Sequence, residues 1–81
     1  MKSYFYKVRG DAGGPHWLFG AFESKKALIE ENRGNAPFHI IAAKQLVDMR
    51  EPEEIRDIAK NVLLHQPHVL GEFPQDIRAM L

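Results

Sequence analysis

The first 22 residues alternate between two sides of an extended chain, a pattern that predicts a β-hairpin. Residues 3–9 place two sets of side chains on opposite sides, namely Tyr4, Tyr6 and Val8 against Phe5, Lys7 and Arg9. Residues 10–15 contain three glycines and Pro15, which favour a turn because glycine adopts positive φ at little cost. Residues 16–22 then predict the returning strand, where Gly20 indicates a bulge or a close backbone approach.

Helical patterns follow in three places. Ser24 fits the N-cap of a short helix over residues 25–31. The strongest pattern predicts a helix from Pro52 to about Leu64, because proline occupies the first position and apolar residues recur along one face. That face consists of Ile55, Ile58, Ala59, Val62 and Leu63. Residues 74–81 contain a further helix-start signal and predict a short C-terminal helix.

The segment between these helices is ambiguous. Residues 37–47 suit a strand that is apolar on both faces, but Ala42 to Leu46 also suits a helix. We predict a strand over residues 38–46, because two strands alone make a poor sheet. Residues 68–71 are predicted to be extended. Together the elements predict an α+β fold, with about three antiparallel strands in ββαβα order, packed on one main amphipathic helix.

Composition narrows the class of protein. The chain has 81 residues, 44% of them hydrophobic and 27% charged, which predicts a single globular domain over residues 1–81. There is no cysteine, which excludes disulfides and thiol chemistry, and no apolar run suits a membrane span or a signal peptide. We therefore expect a cytoplasmic protein without membrane contact.

Charge is balanced overall but unevenly distributed. The formal net charge is zero, whereas dedicated nucleic-acid binders usually have a basic excess. Residues 1–26 contain five basic and two acidic side chains, and residues 27–81 contain six basic and nine acidic ones. Such polarity favours self-association or a charged partner, if the distribution is more than chance.

Few residues suggest chemistry. His65 and His68 have metal-ligand spacing, but Pro67 interrupts their turn and no third ligand is adjacent, so we expect no metal and no cofactor. The two serines lie outside nucleophile motifs, and the pairs of adjacent glutamates do not face each other on a helix. The sequence therefore predicts a protein that is not an enzyme.

The aromatic hairpin is the most unusual feature, since it contains six of the eight aromatic residues. If one sheet face is exposed, Lys7 and Arg9 can share it with Trp17 or Phe19, and we predict these four residues as partner contacts. Such a face suits a protein partner or, alternatively, single-stranded nucleic acid. The third interpretation is a core filled with aromatic bulk. A homodimer, formed through a sheet edge or the apolar C-terminal face, is a further hypothesis.

The layout resembles that of very small proteins encoded by phages and mobile elements, including anti-CRISPR inhibitors. Val69 and Leu70, followed by residues 73–78 (Phe-Pro-Gln-Asp-Ile-Arg), are similar to the end of one small anti-CRISPR protein. The resemblance implies a stoichiometric inhibitor or adaptor that blocks a larger complex by surface contact. It assigns no functional residue.

Overall fold

A computed structural model, which describes residues 1–81, contains a three-stranded antiparallel sheet with helices on both faces. The strands are β1 (Lys2–Val8), β2 (His16–Phe22) and β3 (Pro37–Ala42). The α-helices are α1 (Lys25–Glu31), α2 (Ala43–Met49), α3 (Pro52–His65) and α4 (Gln75–Arg78). Two 3₁₀ helices, Arg33–Asn35 and Pro67–Glu72, complete the chain. The predicted α+β class is confirmed.

The sheet has the strand order β2-β1-β3, so β1 is central and both other strands are edges. The central position follows from the sequence of β1, whose side chains are apolar on both faces over residues 4–6. The hairpin loop contains Gly10 and Gly14 at φ 68° and 79°. A side chain at Gly10 would also collide with the carbonyl oxygen of Gly14, so this turn requires glycine.

Each sheet face packs against a separate hydrophobic core. The larger core joins the face of Phe5 to α2, α3, α4 and the second 3₁₀ helix, and includes Phe19, Ile41 and Phe73. The rings of Phe5, Phe19 and Phe73 lie with centroids 4.9 to 5.3 Å apart, within the range of favourable aromatic pairs. The smaller core consists of Tyr4, Tyr6, Val8 and Leu28.

Helix α1 covers the second face despite its short length. Ser24 caps it as predicted, since its Oγ accepts a hydrogen bond from the Ala27 backbone N–H at 3.1 Å. An isolated helix of seven residues is marginal in water. The burial of Leu28 against the sheet therefore stabilises α1, which is too short to be stable alone.

The predicted strand over residues 38–46 is correct in its first half and wrong in its second. Strand β3 ends at Ala42, and α2 begins at Ala43. Ile41 packs in the larger core from the strand, and Leu46 packs in it from the helix. The chain therefore uses both of its local preferences in turn.

Two further boundaries differ from the predictions. Residues 68–71 are not extended but belong to the 3₁₀ helix Pro67–Glu72, whose Val69 is buried. Proline at the first position favours this turn because its φ is already fixed near the helical value. Helix α4 is shorter than predicted and contributes the buried Ile77, while Leu81 is exposed.

Candidate functional site: a basic and aromatic cluster beside β3

The register of the hairpin places three of the four predicted contact residues on one sheet face. Lys7 lies opposite Trp17, and Phe5 lies opposite Phe19. However, that face is covered by helices: Phe19 is only 2% exposed and Trp17 only 9%. The exposed aromatic face on which the predicted contacts depended is absent, and Phe19 belongs to the core.

Arg9, the fourth predicted residue, follows the end of β1 and is exposed. No side-chain hydrogen bond or ion pair joins it to the others; the structure's single ion pair within 4.0 Å is Arg50–Glu54. The structure thus brings Lys7 and Trp17 together and leaves Arg9 outside their contacts.

Lys7 belongs instead to a cluster of basic and aromatic side chains that the sequence patterns do not predict. We define the basic–aromatic cluster as Lys7, Trp17, Phe38, His39 and Arg50. The Lys7 Nζ atom lies 5.9 Å from the centroid of the Trp17 ring and 6.0 Å from that of Phe38. Both distances are within the range in which an aromatic ring attracts a cation. Trp17 also contacts His39, with ring centroids 5.3 Å apart.

Phe38 is the exposed member of the cluster. The register between β1 and β3 shifts between Lys7, opposite His39, and Val8, opposite Pro37. Phe38 therefore has no partner residue in β1, and its side chain is not fixed by the regular ladder. Phe38 is 54% exposed. An exposed aromatic residue beside a cation is a recurrent feature of protein interfaces.

His39 and Arg50 connect β3 to the chain that follows α2. The Arg50 Nη2 atom lies 3.0 Å from His39 Nε2, so neutral His39 can accept a hydrogen bond from the guanidinium group. Partial burial lowers the pKa of His39, and the positive charges of Arg50 and Lys7 lower it further. The local potential around His39 is therefore positive.

This positive charge is weakly compensated within the chain. The Arg50 Nε atom lies 3.8 Å from a carboxylate oxygen of Glu54, and the two side chains are 23% and 60% exposed, respectively. An ion pair at this distance whose carboxylate is largely in water contributes little. Lys7 has no carboxylate within 4.0 Å. The cluster therefore presents cationic groups without strong anionic partners.

The sequence patterns do not identify Phe38, His39 and Arg50 as members of this site. Phe38 and His39 lie in a segment whose pattern predicts a strand and no chemistry, and Arg50 lies between two helices. No local pattern connects Arg50 to His39, since the contact depends on how α2 turns back beside β3.

His65 and His68, the two histidines at metal-ligand spacing, lie in different helical elements. His65 stacks on His16, with centroids 4.1 Å apart and planes inclined by 16°, whereas His68 lies in the second 3₁₀ helix. No group of three or more His, Cys, Asp or Glu side chains is arranged to hold a metal ion. None of the helices has the length and apolar character required to cross a membrane.

Fold and site together define a small α+β domain with a basic and aromatic surface beside an edge strand. A scan against protein-family models gives no match, and searches of curated proteins and of solved structures give no similar protein. The resemblance to anti-CRISPR proteins stays a prediction.

Proposed function

We propose that this protein is a non-enzymatic protein-binding module and that the basic–aromatic cluster is its contact surface. The exposure of Phe38 carries the proposal, because a large ring that is 54% in water gains free energy when a partner covers it. Aromatic and arginine side chains also dominate the energetics of many protein interfaces.

The charges of the cluster favour an acidic partner surface. Lys7 has no carboxylate within 4.0 Å, and the one carboxylate within 4.0 Å of Arg50 is that of the exposed Glu54, at 3.8 Å. A carboxylate from a partner would therefore form the first close ion pair of Lys7. Such complementary charge guides association and selects among partners.

Single-stranded nucleic acid is supported less well. Binding of that kind requires several exposed rings on which successive bases stack. Trp17 and Phe19 are buried, which leaves Phe38 as the exposed aromatic ring of the cluster. The inhibitor role that the anti-CRISPR resemblance implies remains a prediction, and identification of the partner would test it.

The test is affinity capture from a lysate of the source cells, performed with and without nuclease treatment, with Phe38→Ser beside wild type. Leu64→Ser is the matched control, because Leu64 is 79% exposed but belongs to α3 rather than to the cluster. We expect wild type and Leu64→Ser to retain one stoichiometric protein. Loss of about 1.4 kcal/mol at an interface hot spot would weaken the binding of Phe38→Ser about tenfold. Equal retention by Phe38→Ser, or retention only without nuclease, would contradict the proposal.

A further inference from the structure

The two edges of the sheet differ in how their backbone groups are paired. The β2 edge is covered by α3 and by Gln66, the residue that follows this helix. The Phe19 backbone N–H donates to Gln66 Oε1 at 2.8 Å, and Gln66 Nε2 donates to the Phe19 carbonyl oxygen at 2.9 Å. The Trp17 backbone N–H donates to Asn61 Oδ1 at 2.6 Å. Gln66 thus makes the two hydrogen bonds that a residue of a neighbouring strand would make.

The edge of β3 has no such cover. The backbone N–H groups of Trp17 and Phe19 point away from β1, and in antiparallel pairs this direction alternates with each residue. The registers of β1 with β2 and with β3 extend this alternation to β3. The backbone N–H and C=O groups of His39 and Ile41 therefore point toward β1, and those of Ile40 point away from it. No strand lies beyond β3, and the backbone hydrogen bonds made outside the helices and strands do not include Ile40. The outward N–H and C=O of Ile40 therefore have no hydrogen-bond partner in the chain.

The composition of β3 leaves this edge unprotected by charge. Its six residues, Pro-Phe-His-Ile-Ile-Ala, include no lysine, arginine or carboxylate. Exposed edges usually carry such charges, because they discourage pairing with other chains. Pro37 and the register shift beside Phe38 limit pairing to the short stretch after them.

We infer that the edge of β3 accepts an additional strand from an acidic segment of the partner protein. The inference rests on the proposed function and adds the mode of binding, in which main-chain hydrogen bonds to Ile40 supply affinity and side chains supply specificity. A second copy of this chain fits less well, because its own β3 would bring no carboxylate to the cations of the cluster.

The alternation of side chains along β3 predicts the pattern of the added strand. On one face, residues of the added strand would lie beside His39, where the Arg50 guanidinium group is 3.0 Å from the imidazole. On the other face they would lie beside Ile40 and Ala42, which pack against the smaller apolar core. Directly opposed residues have Cβ atoms about 5 Å apart. Acidic and apolar residues should therefore alternate in the partner segment.

Nuclear magnetic resonance of ¹⁵N-labelled protein tests this with three synthetic peptides. The probe is acetyl-Thr-Val-Glu-Val-Glu-Val-Thr-amide; the first control has lysine for each glutamate, and the second has N-methylated valines, which cannot donate. We expect the acidic peptide to shift the Ile40 amide signal. Mass action predicts that exchange of this amide slows about tenfold when the peptide is at about ten times its Kd. Neither control peptide should have this effect.

Matched variants test the contribution of charge. Arg50→Gln should lower the affinity of the protein for the acidic peptide about threefold or more. Arg56→Gln, on α3 and outside the cluster, should leave the affinity for this peptide unchanged. Three results would overturn the inference. These are no slowing of Ile40 exchange at millimolar acidic peptide, equal binding of the N-methylated peptide, or Ile40 protection that rises with protein concentration alone.

These outcomes separate the inference from the proposed function. If Phe38→Ser abolishes partner capture while the N-methylated peptide binds as well as the acidic one, the contact surface stands and strand addition is wrong. If Phe38→Ser leaves capture intact, the proposed contact surface itself is wrong.

Discussion

Substitution of Gln66 by alanine should destabilise the fold more than any other change to a single polar side chain at the sheet edge. Gln66 makes two hydrogen bonds to Phe19, one through Oε1 at 2.8 Å and one through Nε2 at 2.9 Å. Alanine removes both at once, and it also leaves the N–H of Phe19 without a partner in a partly buried position.

The magnitude follows from these contacts. A hydrogen bond within a protein contributes about 1 kcal/mol net, and a buried donor left without a partner costs about 1 kcal/mol or more. The loss is therefore about 2–3 kcal/mol. A chain of this length has a total stability of about 4–12 kcal/mol. The midpoint of thermal unfolding should consequently fall by about 10–20 °C.

Fluorescence of Trp17, the one tryptophan of the chain, reports unfolding during heating or in urea. The control is Gln45→Ala, since Gln45 is exposed on α2 and its side chain makes no hydrogen bond. The unfolding free energy of the control should lie within about 0.5 kcal/mol of that of wild type, as is general for surface substitutions. If Gln66→Ala is as stable as the control, Gln66 does not close the β2 edge.

Gln66→Glu tests the same two hydrogen bonds, because it replaces the Nε2 donor of Gln66 with a carboxylate oxygen. The ionised carboxylate accepts from the Phe19 N–H but cannot donate to the Phe19 carbonyl oxygen, whereas the protonated acid can do both. The nearby carbonyl oxygen and partial burial should raise the pKa of the introduced carboxyl group in the folded state. Stability relative to wild type should then be lost as pH rises through that folded pKa and regained below it. A constant difference at all pH values would refute this geometry.

Two other outcomes are expected. Because the pKa of His39 is lowered in the fold by burial and by Arg50, the unfolded state binds more protons, and stability should rise with pH up to about 6.5. His39→Gln, which keeps an acceptor for Arg50, should flatten that rise in urea titrations at several pH values, and an unchanged slope would contradict it. A Cβ at Gly20 would lie 2.9 Å from the Phe22 ring, whereas one at Gly13 meets nothing within 4 Å. The contact is with the outer edge of the half-buried Phe22 ring, which can shift, so Gly20→Ala should cost only about 0.5–1 kcal/mol of unfolding free energy and Gly13→Ala almost nothing; equal stabilities would refute the predicted crowding.

The sequence alone determined the elements whose signals are local. Helix α3 begins at Pro52 as predicted and buries Ile55, Ile58 and Val62, because a repeat of apolar residues at helical spacing is complete within the helix itself. The hairpin was equally readable, since its alternation and its glycine-rich loop lie within 22 residues. Its Gly20 produces a close approach to the Phe22 ring, while the β1–β2 register runs without a bulge.

The boundary between β3 and α2 was not readable, because both conformations suit the sequence around Ala42. The tertiary structure selects the point of change. Ile41 must lie opposite Phe5 in the sheet, and Leu46 must reach the core beneath the same face. A strand that ends at Ala42 and a helix that begins at Ala43 satisfy both contacts.

The candidate site shows most clearly the difference between what local sequence patterns determine and what contacts between distant segments determine. Period-two alternation in the sequence showed which side Lys7 takes, but not that helices would cover Trp17 and Phe19 on that face. Closure of the β2 edge by Gln66 joins residues 47 positions apart in the chain, and such contacts leave no local pattern. The sequence thus determined the strands and helices through short-range periodicity. The tertiary structure decided which surfaces stay in water, because burial depends on contacts between distant segments.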